Sequence, residues 1–331
     1  MSTKRWLAIV FAAGLFLISS AVTMFTTVFS TSWDELFQSE NVFHENVISQ
    51  GTGNGKIVVV HLNGVIESGY DTASIFQTAG YNHRNFLDQL DAAANDSNVR
   101  GIIVRVNTPG GGVVESSEIY DKIVEIQEEY RKDVYISMGS MAASGGYYIA
   151  APAKKIFANP QTMTGSIGVI MQSINIAELA DEFGVSVEVI KSGPYKDIMS
   201  STREMTEDER MIMQEMIDES YEQFVDIIEE GRELSRAEVY NLADGRIFTG
   251  RQALEAGLID GLGHLQDVYE ILMEDLGYGD LTVVEYESSL GFASLFSLSV
   301  QKLFAREADI FNLSNWLQQN HGPRMMYLYT G

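Results

Sequence analysis

The sequence predicts a layered α/β domain built on a mostly parallel sheet, and three observations carry that expectation. Between Lys56 and Ile190, short β-branched runs alternate with helical segments of roughly ten to fifteen residues, the pattern of strands joined by crossover helices. From Thr206 onward the pattern turns helical, as a flank of the same domain would. Ahead of both lies an uncharged apolar run, Trp6 to Phe29, so the globular part begins well after the N-terminus.

That run follows Lys4 and Arg5 and precedes Asp34 and Glu35. As a helix it would cross about 30 Å of hydrocarbon, and the flanking charges put the N-terminus inside and the body outside. Ser19 and Ala21 offer a rival reading as a signal-peptide cleavage site, but the apolar run continues past them, which favours an uncleaved anchor. Residues 1–5 then form a cytoplasmic tip, 6–29 a transmembrane signal anchor and 30–55 a polar spacer. A globular domain follows over 56–276, with a C-terminal extension over 277–331 that is a candidate to contact a partner or the domain's cleft.

Within the domain, Lys56 to Ile66 is dense in β-branched residues and reads as a strand, and Phe86, Leu87, Leu90 and Ala94 give a helical face to Asn85–Ala94. The apolar run from Gly101 reads as a buried strand stopped by Pro109 and Gly110 to Gly112. Ile119, Ile123 and Ile126 mark a helix over Glu115–Tyr130. Strands are expected at Asp133–Met138, at Lys154–Pro160, in the apolar part of TGSIGVIMQSI and at Val185–Ile190, with a short helix at Ile176–Glu182. Thr206 and Glu209 make a capping box for a long helix whose stripe includes Met211, Met213, Met216, Ile217, Phe224 and Ile228. Such a methionine stripe is expected in the core. Short helices at Arg236–Leu242, Gly250–Ala256 and His264–Glu274 complete the flank. In the tail, LTVVEY reads as a strand and ASLFSLSVQKLF as an amphipathic helix, while RMMYLYTG reads as a C-terminal strand or partner contact, or as ordinary docking of the terminus.

The chain carries 22 Lys and Arg against 46 Asp and Glu, a formal charge of -24. Such a surface repels phosphate backbones, which argues against a nucleic-acid partner. Cysteine is absent, which excludes disulfides, thiol nucleophiles and thiolate metal sites. No HxxxH or dense Asp/His spacing points to a metal.

Two stretches could carry chemistry. PGGG, Pro109 to Gly112, joins a buried strand to a helix start, where free N–H groups suit an oxyanion as well as they suit a plain turn. GSMAASGGYYIA, Gly139 to Ala150, sets Ser144 between alanines and glycines; Ser140 is the rival nucleophile, and packing alone would explain both. The histidines are His44, His61, His83, His264 and His321, and none lies between Ser144 and His264. A lysine is the other candidate base, and Lys196 in KSGPYKD follows a strand and a Gly-Pro turn. It would need its pKa lowered from about 10.4 by a dry pocket, and Ser166 is suited to hold the neutral amine.

HLNGVI, RVNTPGGG, SMAASGGYYIA, PQTMTGSIGVI, KSGPYKD and GRIFTGRQALEAGLIDGLG occur in that order. Together they resemble the signal peptide peptidase A family, of the protease IV type, within the Clp protease/crotonase superfold, from about Lys56 to Leu276. The resemblance implies a membrane-anchored serine endopeptidase that degrades remnant signal peptides and other unfolded apolar peptides on the extracytoplasmic side. Residue by residue it implies Ser144 as nucleophile, Lys196 as general base, the Gly111 and Gly145 amides as the oxyanion hole and Ser166 as the group positioning Lys196. It implies no cofactor and no metal. The chain is about half the length of the long members and holds one copy of each block. The resemblance therefore implies a ring-like homo-oligomer, an octamer among the rings it allows, with each dyad completed between neighbouring chains. Thr108 stands where many relatives have serine, and SSTREM lacks a proline common after the lysine loop. A catalytically inactive peptide-binding membrane scaffold and a crotonase-like acyl-CoA enzyme are the alternative readings.

Overall fold

The structure is a computed structural model and describes residues 5–6, 14–16, 19, 43–68, 81–287 and 324–330. The chain divides into two units, Met1–Val42 and Phe43–Gly331. The expected anchor lies mostly outside the described residues, and among the described residues no helix is long and apolar enough to cross a membrane. The expected amphipathic helix ASLFSLSVQKLF also lies outside them.

In the second unit the strands are β1 (His44–Ser49), β2 (Lys56–Asn63), β3 (Val99–Thr108), β4 (Gly110–Gly112), β5 (Asp133–Ala143), β6 (Lys155–Ala158), β7 (Met163–Gly165), β8 (Ile247–Thr249), β9 (Gly261–Leu262), β10 (Thr282–Glu287) and β11 (Met326–Leu328). The helices are α1 (His83–Asn95), α2 (Val113–Glu128), α3 (Gly145–Tyr148), α4 (Ala177–Glu182), α5 (Glu207–Arg232), α6 (Arg236–Leu242), α7 (Gly250–Glu255) and α8 (Leu265–Leu276). The main sheet runs β1-β10-β2-β3-β5-β6-β9, with β7 bridging β5 and β8. Its pairings are parallel except β1 with β10 and β7 with β8.

Side chains on a strand alternate between faces, and β2 shows what that does here. Val58, Val60 and Leu62 pack on one face with Leu90 of α1, Ile119 and Ile123 of α2 and Phe224 of α5. Ile57 and Val59 pack on the other, with Val268 and Leu272 of α8. Both faces are covered, which is why these strands read as continuous apolar runs. Each fully buried Val, Leu or Ile contributes on the order of 1.5–3 kcal/mol.

The structure departs from the sequence reading in several places. His44–Ser49, inside the expected spacer, is a strand, and Thr282–Glu287 from the C-terminal stretch pairs with it and with β2. Only Met163–Gly165 of the TMTGSIGVI run forms a strand; Ser166 turns the chain with φ 51°. Val185–Ile190 is not a strand: Val185 N–H closes the turn after α4 by donating to the Ala180 carbonyl at 2.8 Å, and no neighbouring strand among the described residues pairs with the segment. The Thr206–Glu209 capping box is present, but Met211 and Met216 are exposed on α5 rather than in the core.

Candidate active site

The C-terminal ends of β3 and β5 deliver the two glycine-rich stretches to one place. β5 ends at Ala143, and Ser144 follows with φ 53° and ψ -113°, a conformation costing a non-glycine residue of order 1–3 kcal/mol. The surroundings hold it there. Ser144 N–H donates to the Gly165 carbonyl at 2.7 Å, and the Ser144 carbonyl accepts from the amides of Tyr147 and Tyr148 at 2.8 and 2.9 Å. Tyr147 is fully buried and its hydroxyl donates to the Leu258 carbonyl at 2.8 Å, pinning α3 from below. Ser144 is itself 1% exposed, whereas Ser140 points outward.

On the facing side, Thr108 Oγ1 accepts from the Gly110 amide at 3.0 Å and so braces the PGGG turn, as a serine would. Gly110 has φ +102°, and a Cβ there would stand 2.0 Å from the Tyr327 carbonyl oxygen and 2.7 Å from the Gly145 nitrogen. A Cβ on Gly145 would lie 3.2 Å from the Gly111 nitrogen and 2.7 Å from Ser116 Oγ. Glycine is thus required by close approach, and the Gly111 and Gly145 amides end up side by side next to Ser144. Ser166 joins them: β5 and β7 pair Ala143 with Gly165, so Ser144 and Ser166 are the next residues of two neighbouring strands.

Into this space comes β11, from the C-terminal RMMYLYTG stretch that reads as a strand. It pairs antiparallel with β4, Tyr327 opposite Gly111, and on its other side Met326 exchanges both backbone hydrogen bonds with Ile170, at 2.9 and 3.0 Å. Tyr329 N–H donates to the Pro109 carbonyl at 2.9 Å. Two residues further along an antiparallel ladder the pairing type repeats, so the Gly111 N–H faces the Tyr327 carbonyl. A groove of about 660 Å³ continues along Ser166, Ile167, Val169, Ile170 and Tyr221 beside Leu328 and Tyr329.

Lys196 is not brought to this place. It is exposed on a turn whose backbone bond is Lys196 N–H to the Gly193 carbonyl at 3.3 Å, and no hydrogen bond joins it to Ser144. The turn is rigidly braced. Arg203 donates to Asp197 Oδ1 and Oδ2 at 2.7 and 2.9 Å and to Glu209 Oε2 at 2.8 Å, and Lys191 donates to Asp197 Oδ1 at 2.6 Å. Arg203 and Lys191 hold the Asp197 carboxyl well below the usual range, and Arg203 with the Thr206 amide brings Glu209 down to about 2. This brace escaped the sequence reading, although four of its charges fall within nineteen residues (191, 197, 203 and 209).

Among the described residues, no histidine or tyrosine takes the place of a base beside Ser144. Burial pushes the Tyr148 hydroxyl up to about 12 and Tyr147 higher still. His61 is bonded to Glu285 at 3.0 Å and His83 to Tyr81 and Glu118, both at 2.6 Å.

A strained serine between a strand and a short helix, flanked by paired glycine amides, is the geometry of an acyl-transfer site, and the known relatives agree with it. A protein of Enterococcus faecium provisionally named signal peptide peptidase SppA is 36% identical over the whole of both chains. The model of peptidase family S49 matches residues 126–278. The chain belongs to peptidase family S49. Within that family, Protease 4 of Salmonella typhi is 33% identical over 64% of this chain, which covers 33% of the length of that protein. The chloroplastic serine protease SPPA of Arabidopsis thaliana is 31% identical over 54% of this chain. Among solved structures, a ClpP1 mutant from Listeria monocytogenes superposes with a TM-score of 0.41 at 18% identity, covering 63% of this chain and 92% of that one. The S49 match spans Ser144, Ser166 and Lys196, and Gly111 lies ahead of it.

Proposed function

We propose that this chain is a membrane-anchored serine endopeptidase in which Ser144 is the nucleophile and Lys196 the general base, acting on remnant signal peptides and other unfolded apolar segments. The observation that carries the reading is β11: an extended segment of peptide already lies between Gly110–Gly112 and Ile170, beside a serine held in a strained conformation. The same backbone pairing would present any extended chain to Ser144.

In the proposed reaction the Ser144 hydroxyl proton passes to the neutral amine of Lys196 as Oγ bonds to the peptide carbonyl carbon. The Gly111 and Gly145 amides take the charge on the oxygen. The lysine proton goes to the leaving nitrogen as the C–N bond breaks, and water then cleaves the acyl-enzyme.

Lys196 is exposed in the single chain, where nothing shields its side chain from water. Self-association into a ring would dry it and deliver it to a neighbour's Ser144. Ile174, Phe183, Val185, Val187, Val189 and Ile190 around it are exposed, from 50% for Val189 upward, and suit such a contact. The uncharged run Trp6 to Phe29 supports the anchor, with the domain on the extracytoplasmic side.

The test is turnover of an unstructured signal peptide by full-length protein in detergent. Ser144→Ala and Lys196→Met are each expected to lower kcat by about a thousandfold or more. Wild-type turnover in both, with assembly intact, would refute the dyad.

A further inference from the structure

We propose that Glu67 and Glu115 form a subsite for a basic side chain of the bound peptide, three residues ahead of the residue whose carbonyl faces Gly111. The inference rests on the peptidase reading and names a feature of its substrate: an apolar segment preceded by Lys or Arg.

The site is built by the same turn that makes the groove. Ile66 pairs with Gly111, its N–H donating to the Gly110 carbonyl at 2.9 Å and its carbonyl accepting from Gly112 at 2.8 Å, so Glu67 stands at the rim where β11 enters. Glu115, in the first turn of α2, is folded back over Gly112: a Cβ on Gly112 would lie 1.9 Å from Glu115 Oε2. Its other oxygen accepts from the Ser68 amide at 3.1 Å, which ties the carboxylate to the residue after Glu67. Burial pushes the Glu115 pKa up, but hydrogen bonds from its own amide and Ser68, and the charge of Arg324, outweigh that and leave it below the usual range. It is ionised at neutral pH.

Arg324 of the chain's own C-terminal segment sits in this place, its Nη2 donating to Glu67 Oε2 at 2.8 Å. Among the described residues, Arg324 is the only cation paired with Glu67, and none is paired with Glu115 within 4.0 Å. Around Glu115 stand Glu118 and the Tyr81 hydroxyl, with His83 bonded to both Tyr81 and Glu118 at 2.6 Å, so Glu67, Glu115 and Glu118 bring three carboxylates to the neighbourhood of Arg324. The spacing from Arg324 to Tyr327 sets the register: a peptide presenting its carbonyl to Gly111 as Tyr327 does places its third preceding residue between the carboxylates. Secretory signal peptides carry their positive charges just ahead of the apolar run, so the junction between the two would fit this register.

The experiment uses two quenched fluorescent hexapeptides, Arg-Met-Met-Tyr-Leu-Tyr as in residues 324–329 and the same peptide with Gln in first place, cleaved by full-length protein. Glu67 and Arg324 are part-exposed, so the preference for the Arg peptide is expected to be about three- to tenfold in kcat/KM, mostly through KM and weaker in high salt. Glu67→Gln and Glu115→Gln should each bring the ratio toward one, and Glu67→Lys should bring it to one or below. The chain's own tail competes equally with both peptides and leaves the ratio unaffected. An equal rate for both peptides in wild type, or an unchanged ratio in both Gln variants, overturns the subsite. If wild type cleaves neither peptide, the peptidase reading fails instead. The subsite is then judged by anisotropy of the two labelled peptides on the Ser144→Ala chain, where equal Kd values overturn it.

Discussion

Residues 133–170 and residues 171–205 carry the two halves of the proposed dyad and are built in opposite ways. In the first, β5, β6 and β7 are hydrogen-bonded to neighbours, Tyr147, Ile149 and Ala150 are fully buried, and Ser144 is locked in a strained conformation. In the second, one short helix is the only regular element, Ile190 is fully exposed and the alternating Val185, Val187 and Val189 face no strand. The first half is complete within one chain. The second has an order of its own, in the Asp197–Arg203–Glu209 brace, but an apolar surface that one chain leaves in water. Folding alone explains the first half, and the second is the surface that the proposed second copy would cover.

The sharpest break of that comparison is complementation. Ser144→Ala and Lys196→Met chains are each expected to be inactive, yet when co-assembled one to one they should regain about a quarter of wild-type activity if each dyad spans two chains of a closed ring. A dyad within one chain predicts none. Turnover by the mixed assembly after co-refolding measures the difference.

A smaller effect is expected from the apolar surface. Phe183→Asp and Ile190→Asp put charge on exposed positions and should leave the single-chain fold intact, since neither side chain is buried in it. If the surface meets another copy, both should shift sedimentation toward monomer and lower activity about 10- to 100-fold by leaving Lys196 solvated. Unchanged sedimentation in both variants would remove the argument for a second copy.

The same contrast explains what the sequence made legible. Strands buried on both faces, such as Ile102 to Val104, announce themselves as apolar runs, and the Thr206–Glu209 capping box is a local signal for a local structure. Ser144, Gly111, Gly145 and Ser166 meet because their segments end adjacent strands, and a resemblance of motifs carried that placement. Val185–Ile190 has the alternation of a strand, but alternation reports a face to be covered and not whether this chain covers it. The strand in RMMYLYTG was legible but its partner was not, for a related reason: the position of β11 depends on pairing across more than two hundred residues, between Met326 and Gly112. Glu67, Glu115 and Arg324 have no common motif and meet only through that pairing.

Arg203 offers a way to loosen the second half without touching the first. Its guanidinium holds Asp197, next to Lys196, and also neutralises Glu209, which is 1% exposed. Arg203→Ala should lower kcat about 10- to 100-fold through misplacement of the lysine turn, and Arg203→Lys should recover only part, because one ammonium cannot reach both carboxylates in fork geometry. Circular dichroism and labelling of Ser144 by a fluorophosphonate should stay near wild type. Loss of both would mean that the brace supports the whole fold.

The smallest effect is the acid response of that brace. Asp197 and Glu209 both have folded-state pKa values below those of free carboxylates, Glu209 at about 2 and Asp197 lower. A group depressed in this way contributes its full stability above the unfolded value, about 4, and loses it as pH falls through the folded one. The brace should therefore hold at pH 4 and fail toward pH 2, a range too acid for turnover to serve as the readout. Pepsin reports instead, since it works there and Phe183 is an exposed target. Cleavage within 171–205 should rise from pH 4 to pH 2 in wild type and already be fast at pH 4 in Asp197→Asn, while 133–170 stays uncut in both. If the two regions are nicked together at every pH, the acid transition is global and the brace has no separate titration.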